Sequence, residues 1–98
     1  MPLPRKIKVG PLAYRVERAE LDEYGHCDHD QFVIRLRTRM RREATQETLF
    51  HEVLHAVCEA ANLDWSEADE ERVVRALSPL LLDVLQRNET LRHYLFSD

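Results

Sequence analysis

The residue pattern predicts an α+β domain: a small antiparallel sheet, with an edge strand, followed by helices packed on one of its faces. Three observations predict it. Apolar residues alternate at period two over much of the first forty positions. From about Ala44 the spacing changes to three and four. A second helical pattern, carrying an internal proline, follows a short polar link. With 98 residues the chain is sized for one domain, spanning 1–98, rather than two.

The elements follow in order. Ile7, Val9, Leu12, Tyr14 and Val16 interleave with Lys8, Arg15 and Glu17, and Gly10-Pro11 interrupts them as a turn between two strands or a bulge in one. Residues 18–30 are polar, and Tyr24 to Asp30 reads as a loop. Alternation returns with Phe32, Ile34 and Leu36 against Arg35, Arg37 and Arg39, which predicts a half-buried strand from Gln31 to Arg37 with a solvated arginine face. Leu49, Val53, Ala56, Val57 and Ala60, widened by Phe50, Leu54 and Ala61, predict a largely buried helix over 44–61, with Asn62 as its stop. Ser66 followed three residues later by Asp69 has the form of a capping box. Val73, Val74, Leu77, Leu80, Leu81, Val84 and Leu85 then carry the apolar face of a second helix. Pro79 removes one backbone hydrogen bond and predicts a kink or break near Ser78. After Asn88, the residues Leu91, Tyr94, Leu95 and Phe96 predict a short last turn packed back onto the core.

Composition narrows the function. A hydrophobic fraction of 44% beside a charged fraction of 33% describes a folded chain rather than a disordered one. A formal charge of −4 argues against a general nucleic-acid binder. No apolar run follows Met1 to Lys6, so no secretory signal is expected, and no stretch is long enough to span a membrane. Two cysteines, Cys27 and Cys58, are too few for a disulfide scaffold and fit a reducing cytoplasm. A core this small is marginal by itself and gains from a metal or a partner.

The sharpest signal is His51-Glu52-Val53-Leu54-His55. Residues four apart on a helix lie one turn above each other on the same face, so both imidazoles can present a nitrogen to one ion. Zinc accepts imidazole nitrogen in tetrahedral geometry. Glu52, beside the first histidine, can face a metal-bound water, which is the place of a general base in metalloproteases. Two imidazoles in an otherwise apolar helix need partners, and a metal supplies them together. A catalytic zinc takes a third protein ligand. The next helix offers Glu67, Asp69, Glu70 and Glu71, and periodicity leaves Glu70 and Glu71 both flanking the inward stripe.

The stretch Thr48 to Val57, with Glu71 and then Val74, Leu77 and Ser78, resembles the minimal gluzincin-type metallopeptidases encoded in phages and prophages. It is similar, more distantly, to ImmA/IrrE-type and SprT-like zincins. The resemblance covers roughly residues 25–85. It implies that the strand Gln31 to Arg37 is the sheet edge, that His51, His55 and Glu71 are zinc ligands, and that Glu52 is the general base of peptide-bond hydrolysis on a peptide or protein substrate. A zinc protease also commonly uses an oxyanion-stabilising side chain. Tyr14, Tyr24, His93 and Tyr94 are the candidates, and no spacing separates them.

Four further features carry milder expectations. Cys58 shares the histidine face but reads as a small buried residue rather than a ligand. The run His26-Cys27-Asp28-His29-Asp30 has no recognised ligand spacing and reads as polar loop. Arg35, Arg37, Arg39, Arg41 and Arg42 form the one basic stripe and read as a face that blocks edge-to-edge pairing rather than a phosphate grip. Trp65 reads as a cover over the core. The alternative to a peptidase is a zinc-stabilised interaction or regulatory module without turnover.

Overall fold

The computed structural model describes residues 2–98. Four strands are followed by three helices: β1 (Lys6–Val9), β2 (Leu12–Ala19), β3 (Gly25–Asp28), β4 (Val33–Arg37), α1 (Arg42–Ala61), α2 (Glu67–Arg87) and α3 (Glu89–Phe96). The strands form one sheet in the order β1-β2-β4-β3. The domain is α+β, as the pattern predicts.

The break at Gly10-Pro11 is a tight hairpin. Val9 pairs with Leu12, leaving two turn residues. Gly10 has φ +56°, and proline fixes a negative φ after it, the sign pattern of a type II′ turn, whose twist suits a hairpin. Asp28 closes the second hairpin by accepting the N–H groups of Asp30 and Gln31, each at 2.9 Å.

The sheet differs from expectation in two ways. It is mixed, because β2 and β4 pair in parallel while β1–β2 and β3–β4 pair antiparallel. The strand predicted over Gln31 to Arg37 is also not the edge: β4 lies between β2 and β3. The edge beside α1 is β3, built from Gly25-His26-Cys27-Asp28, which the sequence presents as loop. Its conformation comes from pairing with β4 rather than from its own weak strand propensity.

α1 lies across one face of the sheet. Val9, Tyr14, Ile34, Leu36 and Ala56 form the buried core, with Leu12, Val16, Cys27, Leu49 and Val53 packed around it. On the other face Arg35 is neutralised by Glu17 at 3.1 Å and Asp28 at 3.7 Å. The basic stripe is therefore not one surface: Arg39 sits in a turn with φ +64°, Arg41 is the N-cap of α1 and Arg42 its first residue.

Asn62 ends α1 in the left-handed region, with its N–H directed at the carbonyls of Cys58 and Glu59. Ser66 caps α2 by accepting the N–H of Asp69. α2 continues through Pro79 as one helix, so the predicted break does not occur. The residues after Asn88 form a separate helix, α3, against α2. They do not return to the core: Tyr94 is 82% exposed and Phe96 72%.

Candidate metal centre

α1 and α2 bring the motif and the acidic turn together. His51 and His55 stand one turn apart with ring centroids 5.0 Å from each other. Across from them, Glu71 splits its carboxylate between the rings. Oε1 lies 3.0 Å from His51 Nε2, and Oε2 lies 2.9 Å from His55 Nε2. Among the described residues, His51, His55 and Glu71 are the one set of His, Cys, Asp or Glu side chains close enough to share an ion, with ligand atoms within 4.8 Å of one another.

The two glutamates take different places around His55. Glu71 faces the two Nε2 atoms, and Glu70 takes the opposite nitrogen of His55, with Oε2 2.6 Å from Nδ1. Trp65 donates its indole N–H to Glu70 Oε1 at 3.3 Å. Trp65 thus steadies Glu70 beside the site rather than covering the core. A carboxylate on the far nitrogen fixes the tautomer and makes the ring a stronger ligand.

The donor set fits a cation. With Nδ1–H donating to Glu70, a neutral His55 turns the lone pair of Nε2 toward a carboxylate oxygen 2.9 Å away. Two acceptors face each other there, and only a positive charge between them, a proton or a metal ion, makes the contact favourable. A tetrahedral ion with bonds of ~2.0–2.1 Å spaces its ligands ~3.3 Å apart, and the ligand atoms of the three side chains lie within 4.8 Å of one another. Burial lowers the pKa of His51, against the pull of Glu71, and so favours the neutral imidazole that a metal requires.

The imidazoles pair with Glu70 and Glu71 and not with Glu52. It is buried, 7% exposed, on the side of α1 that faces β3. Its pKa is pushed up to about 7, mainly by burial, with Glu71 and Glu23 adding to the rise and His55 opposing it. Two open clefts meet at Glu52 and Glu71. One, of about 550 Å³, runs past Tyr24, Thr48, His51 and Arg75. The other, of about 860 Å³, runs past Cys27, His29, His55 and Trp65. Both touch β3, whose outer edge has no strand partner among the described residues.

Gly25 is where β3 and α1 come closest. A Cβ there would lie 2.6 Å from Thr48 Cγ2 and 3.2 Å from Glu52 Oε2. Gly25→Ala should therefore cost about 1–3 kcal/mol of stability by overpacking. Adding Thr48→Ser, which deletes the offending methyl, should restore most of the loss. Urea denaturation of wild type and the two variants checks this, and no rescue by Thr48→Ser would place the strain elsewhere.

The remaining sequence candidates scatter. Of the four possible electrophiles, Tyr24 lines the first cleft. Tyr14 is fully buried and pairs with His29 Nδ1 at 2.8 Å, while His93 and Tyr94 lie on α3 away from the site. The run from His26 to Asp30 spends its groups locally: His26 on Glu23, His29 on Tyr14, and Asp28 on its turn. Cys58 stands outside the ligand set, and burial raises its pKa. Arg75 was not singled out by any spacing; it lines the first cleft and lies 3.6 Å from Glu71 Oε1. Its place one turn beyond Glu71 was the available signal.

Compared with protein-family models, with curated proteins and with solved structures, the chain finds no match. No helix among the described residues is long and apolar enough to cross a membrane.

Proposed function

We propose that this domain is a zinc-dependent metallopeptidase in which His51, His55 and Glu71 hold the metal and Glu52 is the general base. The observation that carries the reading is the position of Glu52. It is a buried carboxylate at the junction of two clefts, beside two imidazoles that share a third, acidic partner. Two imidazoles and one carboxylate are a donor set of catalytic zinc. When bound, zinc would supply Lewis acidity toward water and a peptide carbonyl.

The chain's own groups supply the rest. In the metal-free chain burial holds the Glu52 carboxyl up at about 7, and a carboxylate at this place can take a proton from water and return it to a leaving amine. Glu70 orients His55, and Trp65 orients Glu70. The free edge of β3 offers backbone groups to an extended peptide. The second cleft is lined by Glu23, Asp28, Asp30, Glu59 and Glu67 and by no Lys or Arg, so a basic, disordered peptide is the appropriate assay substrate. A purely structural zinc module has no use for Glu52, a carboxylate whose charge its surroundings disfavour.

The test is cleavage of such a peptide by zinc-loaded wild type with Glu52→Gln in parallel. Cleavage by wild type alone supports the reading; equal behaviour of the two removes it. A second expectation separates the glutamates. Glu70→Gln keeps the three ligands and should weaken zinc affinity by ~10–100-fold, as losses of a histidine's orienting partner do. Glu71→Gln should weaken it further. Competition with a chromophoric chelator measures both, and the reverse ranking would make Glu70 the ligand.

A further inference from the structure

Three side chains meet behind the second cleft. Tyr14 on β2 is fully buried, and its hydroxyl lies 2.8 Å from His29 Nδ1. Cys27 Sγ lies 3.7 Å from the same nitrogen. The rings of Tyr14 and His29 meet edge to face, with centroids 5.9 Å apart. Burial, with the charge of nearby groups added, pushes both the phenol and the thiol up to about 12. Both therefore keep their hydrogens at neutral pH and act as donors. The phenol has no other hydrogen-bond partner among the described residues, and a buried O–H without an acceptor is destabilising. So Nδ1 must accept, and the neutral ring carries its hydrogen on Nε2.

That tautomer turns a donor toward the cleft. The two nitrogens of an imidazole diverge. With Nδ1 on the buried phenol, Nε2 lies at the outer edge of a ring that lines the cleft. Among the described residues Nε2 has no hydrogen-bond partner. The other N–H groups of this wall differ. Trp65 donates to Glu70, and His26 is half exposed with no buried donor to fix its tautomer. The carboxylates around the cleft, Asp30, Glu59 and Glu67 among them, repel an anion, so the acceptor that fits is a neutral carbonyl. β3 ends at Asp28, immediately before His29, so an extended chain lying along the free edge of β3 brings its carbonyls past that N–H.

We propose that His29 is a substrate-binding residue: held by Tyr14 as the Nε2–H tautomer, it donates to a main-chain carbonyl of an extended peptide in the second cleft, with Tyr14 as the positioning residue behind it. This rests on the peptide substrate of the peptidase reading and adds a contact that involves neither the metal ligands nor Glu52.

The tautomer is read by long-range proton–nitrogen correlation spectra of the full chain in alkaline buffer, where imidazoles are neutral. His29 should show a pyridine-type Nδ1 and a pyrrole-type Nε2, and Tyr14→Phe should draw the two signals together. The opposite assignment in wild type would sink the proposal. Binding is read by fluorescence anisotropy of a labelled, disordered peptide of lysine and glycine, with the full chain in chelator so that no zinc hydrolysis occurs. Two variants separate a donor from a merely structural ring. An asparagine amide carries an acceptor at the covalent depth of Nδ1 and nothing at that of Nε2. A glutamine amide carries a donor at the depth of Nε2 and nothing at that of Nδ1. His29→Asn should therefore melt close to wild type and bind ~3–10-fold more weakly, as the loss of one neutral hydrogen bond does. His29→Gln should melt lower and bind closer to wild type than His29→Asn does. Folded wild type that does not bind the peptide, His29→Asn that binds as wild type does, or His29→Gln that binds no better than His29→Asn would overturn the proposal. Absent cleavage by zinc-loaded wild type, with this binding pattern intact, would count against the peptidase reading alone.

Discussion

Glu52→Gln is expected to remove hydrolysis while leaving zinc bound, and to make the metal-free protein more stable at neutral and alkaline pH. The first half follows from chemistry: an amide cannot accept the proton, and loss of a general base costs ~10²–10⁴-fold in rate. The second follows from burial. The carboxyl of Glu52 titrates near 7 in the folded chain, against an ordinary value of 4.5. The folded state therefore holds a proton that the unfolded state gives up between those values. The stability tied to that proton is fully present below about pH 4.5 and is lost as pH rises through about 7. The shift corresponds to about 3 kcal/mol at full ionisation. Gln has no such titration, so its advantage over wild type should grow by an amount of that order from pH 4.5 to pH 8. Denaturant melts in chelator at both pH values measure it. A difference that stays constant with pH would mean Glu52 is well solvated in the folded chain.

His55→Ala carries the second large effect. Among the described residues, His55 is the one side chain that pairs with both Glu70 and Glu71. Its removal deletes a ligand and leaves two carboxylates facing each other without the ring between them. A metal that binds only the folded state adds ~4 kcal/mol when present at a thousandfold excess over its dissociation constant. For a domain of this size that is a rise of roughly 15–30 °C in melting temperature. Wild type should show such a rise on addition of zinc, and His55→Ala should show almost none. An equal rise in both would put the zinc on other residues.

Much of this arrangement is legible in the residues themselves. The helix over 44–61 and the capped helix after Ser66 follow from local spacing, and local spacing is what the helices obey. The histidine pair is legible for the same reason, since i and i+4 meet on any helix. What escapes is set by contacts distant in sequence. β3 has almost no strand character of its own; pairing with β4 and the approach of Gly25 to α1 make it the edge. That pairing is invisible locally, and the resemblance places the edge at β4, the strand that alternation does reveal. The parallel pairing of β2 with β4 has the same cause: both strands alternate alike in either direction. Glu70 and Glu71 are adjacent on one turn, and only the distance from α2 to α1 decides which faces Nε2 and which faces Nδ1. The break at Pro79, one of the two outcomes its ring predicts, is absent for the opposite reason. Its lost hydrogen bond is local, but α2 is largely exposed there, where water can satisfy the freed carbonyl.

The central claim is that His51, His55 and Glu71 hold a metal ion, and the most direct measurement is the zinc content of folded protein. The chain is purified without chelator, incubated with zinc, dialysed and analysed by elemental mass spectrometry beside His51→Ala. About one ion per wild-type chain, with essentially none in His51→Ala, is the predicted result. Wild type that is folded by circular dichroism and still retains no zinc would contradict it: the contacts of Glu71 with the two imidazoles would then serve the packing of α1 on α2 and not a metal.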